Sequence, residues 1–279
     1  MSFATKAGVD LLHERQDNRD CQLRHEEHQA IVDWLTSIEY APQQSDFISR
    51  RQAGTGQWLL DSAEFQSWLN QKQQTLFCPG IPGAGKTMVT SIVVDYLCKT
   101  FGNDGSIGIA YLYCNFRQQR DQKPVDLLTN LLGQLVQGQP SVPKDIKSLY
   151  ERHKVKRTRP SLDEISEVLQ SIMANYSRTF IAIDALDECG TSDGGWWKFL
   201  SEISKLQAKT GTCLFATSRF IPEITAEFKG RPSLEIRANA GDVRKYLDGH
   251  ISQLRPFVSR RSDLQEEIKT EIVKAVDGM

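Results

Sequence analysis

The chain has 279 residues, 39% of them hydrophobic and 25% charged, which is the make-up of an ordinary folded protein and excludes disordered, collagen-like and low-complexity chains. Lys and Arg (34) balance Asp and Glu (35) to a net charge of −1, so no global attraction to nucleic acid or an anionic membrane is expected. The longest apolar runs, 107–113 and 180–183, fall far short of the ~20 residues of a membrane span, and residues 1–20 lack the pattern of a secretory leader.

Near the N-terminus, Ala30, Ile31, Trp34, Leu35 and Ile38 share one helical face, and the helix is expected to end at Ala41-Pro42. Residues 43–60 read as a loop. Asp61-Ser62-Ala63-Glu64 then caps a short helix carrying Phe65, Trp68 and Leu69. From here strands and helices alternate, the signature of a parallel sheet wrapped by helices. Five strands are expected, at Thr75–Cys78, Ser106–Tyr113, Thr179–Ile183, Thr212–Ala216 and Ser233–Ile236, with too little alternation for a sheet wet on one face. The helices between them show clear stripes, among them Val89, Ile92, Val93 and Leu97; Leu127 to Val136 behind Pro124; Ile165 to Met173 behind a Ser161/Glu164 capping box; and Trp196, Phe199, Leu200 and Ile203. Two more helices come after them, Asp242–Leu254 and Ser262–Val276, the second opened by a Ser262/Gln265 box and closed by Gly278. The last helix has no partner in the sequence, which fits a piece of a longer chain. The expected fold is α/β: a phosphate-loop NTPase with a five-stranded parallel sheet flanked by helices and helical N- and C-terminal extensions.

Three strand ends carry chemistry. After Thr75–Cys78 comes Gly80-Ile81-Pro82-Gly83-Ala84-Gly85-Lys86-Thr87 and then the Met88 helix, the phosphate-loop pattern with strand before and helix behind. Glycines at 80, 83 and 85 let successive backbone N–H groups turn inward as an anion nest at a helix N-terminus. Lys86 would place its ammonium between the terminal phosphates and Thr87 its hydroxyl on Mg²⁺. Next, the strand through Ile183 ends in Asp184, a carboxylate suited to the metal, with Asp187 and Glu188 just beyond it, where ligands sit in open parallel sheets. Glu188 is the first candidate for orienting or deprotonating the attacking water, with Asp187 second. Finally, the strand through Ala216 ends in Thr217-Ser218-Arg219, whose guanidinium could report on the γ-phosphate.

These motifs in this order, with Gly54-Thr55-Gly56-Gln57-Trp58-Leu59-Leu60 upstream, resemble the NACHT modules of the STAND class, specifically the nephrocystin-3-like N-terminal type of fungal NLR-like proteins, over about residues 30–279. The resemblance implies an AAA+-like fold with the Arg219 strand between the phosphate-loop and Asp184 strands. It puts Arg51–Trp58 near the adenine or ribose, and has Asp242–Leu254 begin a small helical domain. It divides the chain into an N-terminal helical segment (1–50), the nucleotide-binding module (51–238) and the start of that helical domain (239–279). The winged-helix region and C-terminal repeats of relatives are absent from this chain.

Other features carry less. Cys21, His25 and His28 share a helical face but lack a fourth metal ligand. The basic run Arg152–Arg159 reads as a solvated loop without an aromatic platform for bases. Of Trp196 and Trp197, one ring is expected in the core and the other partly outside. Six cysteines, at 21, 78, 98, 114, 189 and 213, are widely spaced with no CxxC pair and read as reduced, mostly buried thiols of a cytoplasmic protein. The expected function is Mg²⁺-dependent binding of ATP (or GTP) with slow hydrolysis, acting as a conformational and oligomerisation switch. Self-association and C-terminal repeats are its expected partners, and a nucleic acid is not. A module that holds ADP without turnover and a small-molecule kinase on the same loop remain the alternatives.

Overall fold

The computed structural model describes residues 3–36, 38–117, 122–189, 195–251 and 254–276. A long helix, α1 (Phe3–Leu35), leads into α2 (Tyr40–Ser49) and two short helices, α3 (Gln57–Leu60) and α4 (Ala63–Asn70). Much of the expected loop at 43–60 is therefore helical. Pro42 does not end a helix but sits in the first turn of α2, where its missing N–H has no intrahelical acceptor to lose. Ser62, rather than Asp61, caps α4 by accepting from the Phe65 N–H.

The sheet is parallel and runs β1–β4–β3–β2, from β1 (Thr75–Pro79), β2 (Ile107–Tyr113), β3 (Arg178–Asp184) and β4 (Cys213–Ser218). The Arg219 strand thus lies between the phosphate-loop and Asp184 strands. Both faces are covered because both are apolar. Ile181 and Ile183 of β3 face a cluster built with α6 (Pro124–Gln137), α8 (Leu162–Ala174) and α9 (Gly195–Thr210), whereas Phe180 and Ala182 face α4 and α5 (Lys86–Phe101). The Ser161/Glu164 capping box forms as read. Trp196 packs on the core while Trp197 is half exposed.

The sheet has four strands, not five. Residues 232–236 do lie along β1: the Phe77 N–H donates to the Pro232 carbonyl, and the Leu234 and Ile236 N–H groups donate to the carbonyls of Phe77 and Pro79. The next ladder bond would need an N–H from Pro79, which has none, so the pairing stops at the single Phe77–Ser233 bridge. At the opposite edge, the Gln134 amide closes β2 by accepting from the Tyr111 N–H and donating to its carbonyl.

The basic run is not a loop either. Residues 152–156 form the last turn of α7 (Lys144–Lys156), with Arg157 in a left-handed cap, and His153 is buried between Thr158 and Glu164. After α10 (Pro222–Glu227) come α11 (Ala240–His250), α12 (Pro256–Ser259) and α13 (Ser262–Val276). The expected Asp242–Leu254 helix thus begins and ends earlier. Ser262 is already the first residue of α13 instead of its cap, and the Gln265 amide donates back to the Val258 carbonyl. Gly278 lies outside the described residues. No helix among the described residues is long and apolar enough to cross a membrane.

Candidate functional site

All four strands end on the same side, and register sets their last residues in a row: Pro79 beside Ser218, and Tyr113 beside Asp184. The glycine loop rises from the first of these ends. Gly83 and Gly85 have φ of +82° and +92°, and a Cβ built on either meets nothing within 4 Å, so the loop faces open space. Gly80 is required for a different reason. A Cβ there would come within 2.5 Å of the Ile236 carbonyl oxygen, because the 232–236 segment crosses directly behind the loop. Gly80→Ala is therefore expected to cost about 1–3 kcal/mol as an overpacked contact. That should lower the thermal midpoint by several degrees without any ligand present; a calorimetric scan matching the unmodified protein would refute the contact.

Gly85 precedes α5, so the first N–H groups of the helix point into the loop unpaired by the helix itself. Ile81, Pro82 and Ala84 complete the loop, and Met88 sits next to Thr87 on the first turn. Lys86 folds back so that its ammonium donates to the carbonyls of Gly80 (2.8 Å) and Ile81 (2.9 Å). Burial lowers its pKa, against the pull of the Asp187 and Asp184 carboxylates.

Asp184 is the buried centre of the site. Thr87 donates to one carboxylate oxygen at 2.6 Å, and Thr90 and Thr217 donate to the other at 2.9 and 2.7 Å. Burial raises its pKa, and the three hydroxyls oppose that shift without cancelling it. The carboxylate is thus hydrogen-bonded by neutral donors, and among the described residues no cation is in ion-pair contact with it, although Lys86 acts on it from nearby. Thr90 and Thr217 do not stand out in the sequence as site residues. Thr90 does carry a signal, being one helical turn beyond Thr87 on an otherwise apolar face.

Asp187 and Glu188 lie in a 3₁₀ turn, Leu186–Glu188, entered through Ala185 at φ +52°. The two carboxylates part company here. Asp187, its side chain only 3% exposed, accepts from Ser218 Oγ and from the Arg219 N–H and Nε (3.1, 2.9 and 2.5 Å). Burial pushes the Asp187 pKa up, but Arg219 and its amide outweigh that, and the carboxyl is held below its ordinary value. Arg219 is therefore committed to Asp187. Glu188 accepts only a longer bond, 3.2 Å, from the Phe116 N–H. It lines a cavity of about 470 Å³ together with Thr87, Met88, Asp184, Arg50 and Arg117. Neither arginine stands out in the sequence, since nothing local distinguishes a cavity-facing guanidinium from a solvated one.

Beside the loop, the Gly54–Gly56 turn is clasped by α11. The Gly56 N–H donates to Asp242 Oδ2 at 2.7 Å, and Lys245 Nζ to the Gly54 carbonyl at 2.7 Å. Cys114 and Cys189, expected as thiols, form a disulfide with Cα atoms 5.1 Å apart. The β2–β3 register brings them together, and a separation of 75 residues gives no hint of it. Cys21 and Cys98 are exposed free thiols, and Cys78 and Cys213 buried ones. Of the Cys21, His25 and His28 trio, His28 bonds the Val136 carbonyl, and no cluster of three metal-ligating side chains occurs among the described residues.

Among solved structures, the chain is similar to Cdc6p from Pyrobaculum aerophilum (TM-score 0.46, 13% identity, 75% of this chain and 52% of that one). It is also similar to AMPPCP-bound DnaA from Aquifex aeolicus (0.40, 12%, 80% and 62%). Among characterised proteins it is 26% identical over 239 residues, 79% of its length, to the vegetative incompatibility protein HET-E-1 of Podospora anserina. The chain spans only 17% of that protein. The family model for the nephrocystin 3 N-terminal region matches residues 54–219, running from the clasped Gly54 turn to Arg219. That is more than half of the chain, and the chain belongs to this nephrocystin 3 N-terminal family.

Proposed function

We propose that this protein binds ATP with Mg²⁺ and hydrolyses it slowly, using the bound nucleotide to set its conformation and its association with other copies. The observation that supports this most is the Thr87–Asp184 contact at the mouth of an open glycine loop. Two segments 97 residues apart meet there, the convergence that a polyphosphate and its metal would require. The loop amides and Lys86 would cradle the phosphates. Thr87 gives its proton to Asp184, leaving its oxygen lone pairs for a cation, and Asp184 is a buried carboxylate whose hydrogen bonds come from hydroxyls, with Lys86 as a nearby charge. That all-oxygen pair fits Mg²⁺, which when bound would neutralise charge on the terminal phosphates.

Of the two further carboxylates, Glu188 is the one able to orient water, because Asp187 is spent on Arg219. Arg219 would sense the γ-phosphate only after leaving Asp187. The module proposed for this work is 51–238, with 1–50 and 239–279 as helical extensions, the second clasping the turn proposed to face the base. In a longer protein, C-terminal repeats would be the element that the nucleotide state controls.

The protein purified with its co-purifying nucleotide identified, then assayed for phosphate release with water as sole acceptor, tests this reading and separates ATP from GTP. Glu188→Gln is expected to bind ATP normally and to lose roughly 10²–10⁴-fold in turnover, the ordinary worth of a general base. Turnover equal to the parent's would move that role to Asp187. A second reading, a module that holds ADP without hydrolysis, is favoured by the way Lys86, Asp187 and Glu188 all find partners inside the protein. Tightly held ADP with no phosphate release would decide for it.

A further inference from the structure

We propose that Cys114 and Cys189 form a reversible thiol–disulfide site on the wall of the phosphate cavity, and that its redox state sets how freely Glu188 moves. The second half rests on the role given to Glu188 above; the first does not.

The bond is placed where it cannot matter much to the sheet. β2 and β3 are already paired through seven register positions, and the Cys114 N–H extends the ladder by donating to the Asp184 carbonyl at 3.2 Å. The cross-link therefore constrains the segments beyond the strand ends: Asn115–Arg117 on one side and Leu186–Glu188 on the other. Those two segments touch through the Phe116 N–H and Glu188 Oε2. The donor is two residues from one sulfur and the acceptor one residue from the other. A carboxylate held by an amide is less mobile than a free one. The turn beneath it also enters through a left-handed alanine, a conformation that surrounding contacts must enforce.

Both cysteines are buried, Cys114 at 6% and Cys189 at 2% exposed, and of the two only Cys114 lines the cavity that holds Thr87 and Glu188, so the attack is assigned to Cys114 from that side. The thiolate of glutathione would attack Cys114 Sγ, expelling Cys189 as a thiolate that takes up a proton. A second glutathione then attacks the mixed disulfide at its own sulfur, releasing Cys114 as a thiol and leaving oxidised glutathione. The protein gains two electrons and two protons; the small thiols lose the same.

The test uses the folded full chain in glutathione buffers of rising reduced-to-oxidised ratio. Alkylatable thiols are counted by mass, amide hydrogen exchange is followed across 114–117 and 186–189, and phosphate release is measured. Two further thiols are expected to appear while the protein stays folded, with Phe116 amide exchange rising roughly tenfold and phosphate release rising several-fold at unchanged KM. The C114S/C189S variant should show the fast values in every buffer. A bond that resists reduction until the protein unfolds, or exchange unchanged on reduction, overturns the site. Equal phosphate release in both states overturns the control of Glu188. Reduction that loosens Phe116 in a protein with no turnover in either state supports the site and overturns the hydrolytic reading instead.

Discussion

Lys86→Ala is expected to weaken ATP binding roughly 10- to 150-fold, the equivalent of losing a charged hydrogen-bond partner worth about 1.5–3 kcal/mol. The structure limits the effect from both sides. In the free protein the ammonium already holds the Gly80 and Ile81 carbonyls, so moving onto phosphate exchanges acceptors rather than adding them. Burial also lowers the lysine's pKa, and a phosphate would restore the charged form more strongly than two carbonyls do. The fold should survive the change, because what is lost is one donor to two loop carbonyls and no buried apolar contact. The midpoint is expected to fall by no more than a few degrees. Calorimetric titration with ATP and Mg²⁺ gives the affinity, and a thermal scan without nucleotide gives the control. Affinity equal to the parent's would place the nucleotide somewhere other than on this loop.

How much of the molecule is legible in the sequence depends on the range of the interactions involved. The phosphate loop, Asp184, and the Thr217-Ser218-Arg219 strand end are local patterns, each a strand running into glycines or polar residues, and the structure sets all three side by side. Helices with strong stripes are legible for the same reason. The fifth strand fails on one atom: Pro79, at the entrance to the glycine loop, lacks the N–H that a continued ladder needs. Helix α2 is hidden because proline punctuates a sequence in either direction, ending one helix or opening another. The partition between Asp187 and Glu188 is invisible, since it depends on Arg219 arriving 32 residues later, just past the end of the neighbouring strand. So is the disulfide, whose cysteines become neighbours only through strand register. Three hydroxyls around Asp184 come from two elements, and only the two on α5 have a spacing that marks them as a pair.

Asp184→Asn separates what the site does for binding from what it costs the fold. Asparagine has nearly the same shape. Its carbonyl oxygen can take the hydroxyls of Thr90 and Thr217, and its amide can donate to Thr87, whose own proton then turns away. The charge that disappears is buried, hydrogen-bonded by three neutral hydroxyls with Lys86 as a nearby charge, and its pKa is raised by burial in spite of them. Removing such a charge relieves a desolvation cost that outweighs the attraction of Lys86, and it breaks no ion pair in direct contact. The variant without ligand is therefore expected to melt at the same temperature as the parent or higher. The proposed hydrolysis should fall the other way, by roughly 10²–10³-fold, since the carboxylate that would anchor Mg²⁺ near the developing charge is gone. Stabilisation of the fold by ATP with Mg²⁺, which grows as RT ln(1 + [L]/Kd), should shrink to the value seen with ATP and a chelator. A thermal series with and without Mg²⁺, run beside a phosphate-release assay, resolves all three outcomes. A variant that is unstable before any ligand is added would mean that Asp184 holds the β3–β4–α5 junction together. A variant whose Mg²⁺-dependent stabilisation persists would mean that the metal rests on other oxygens.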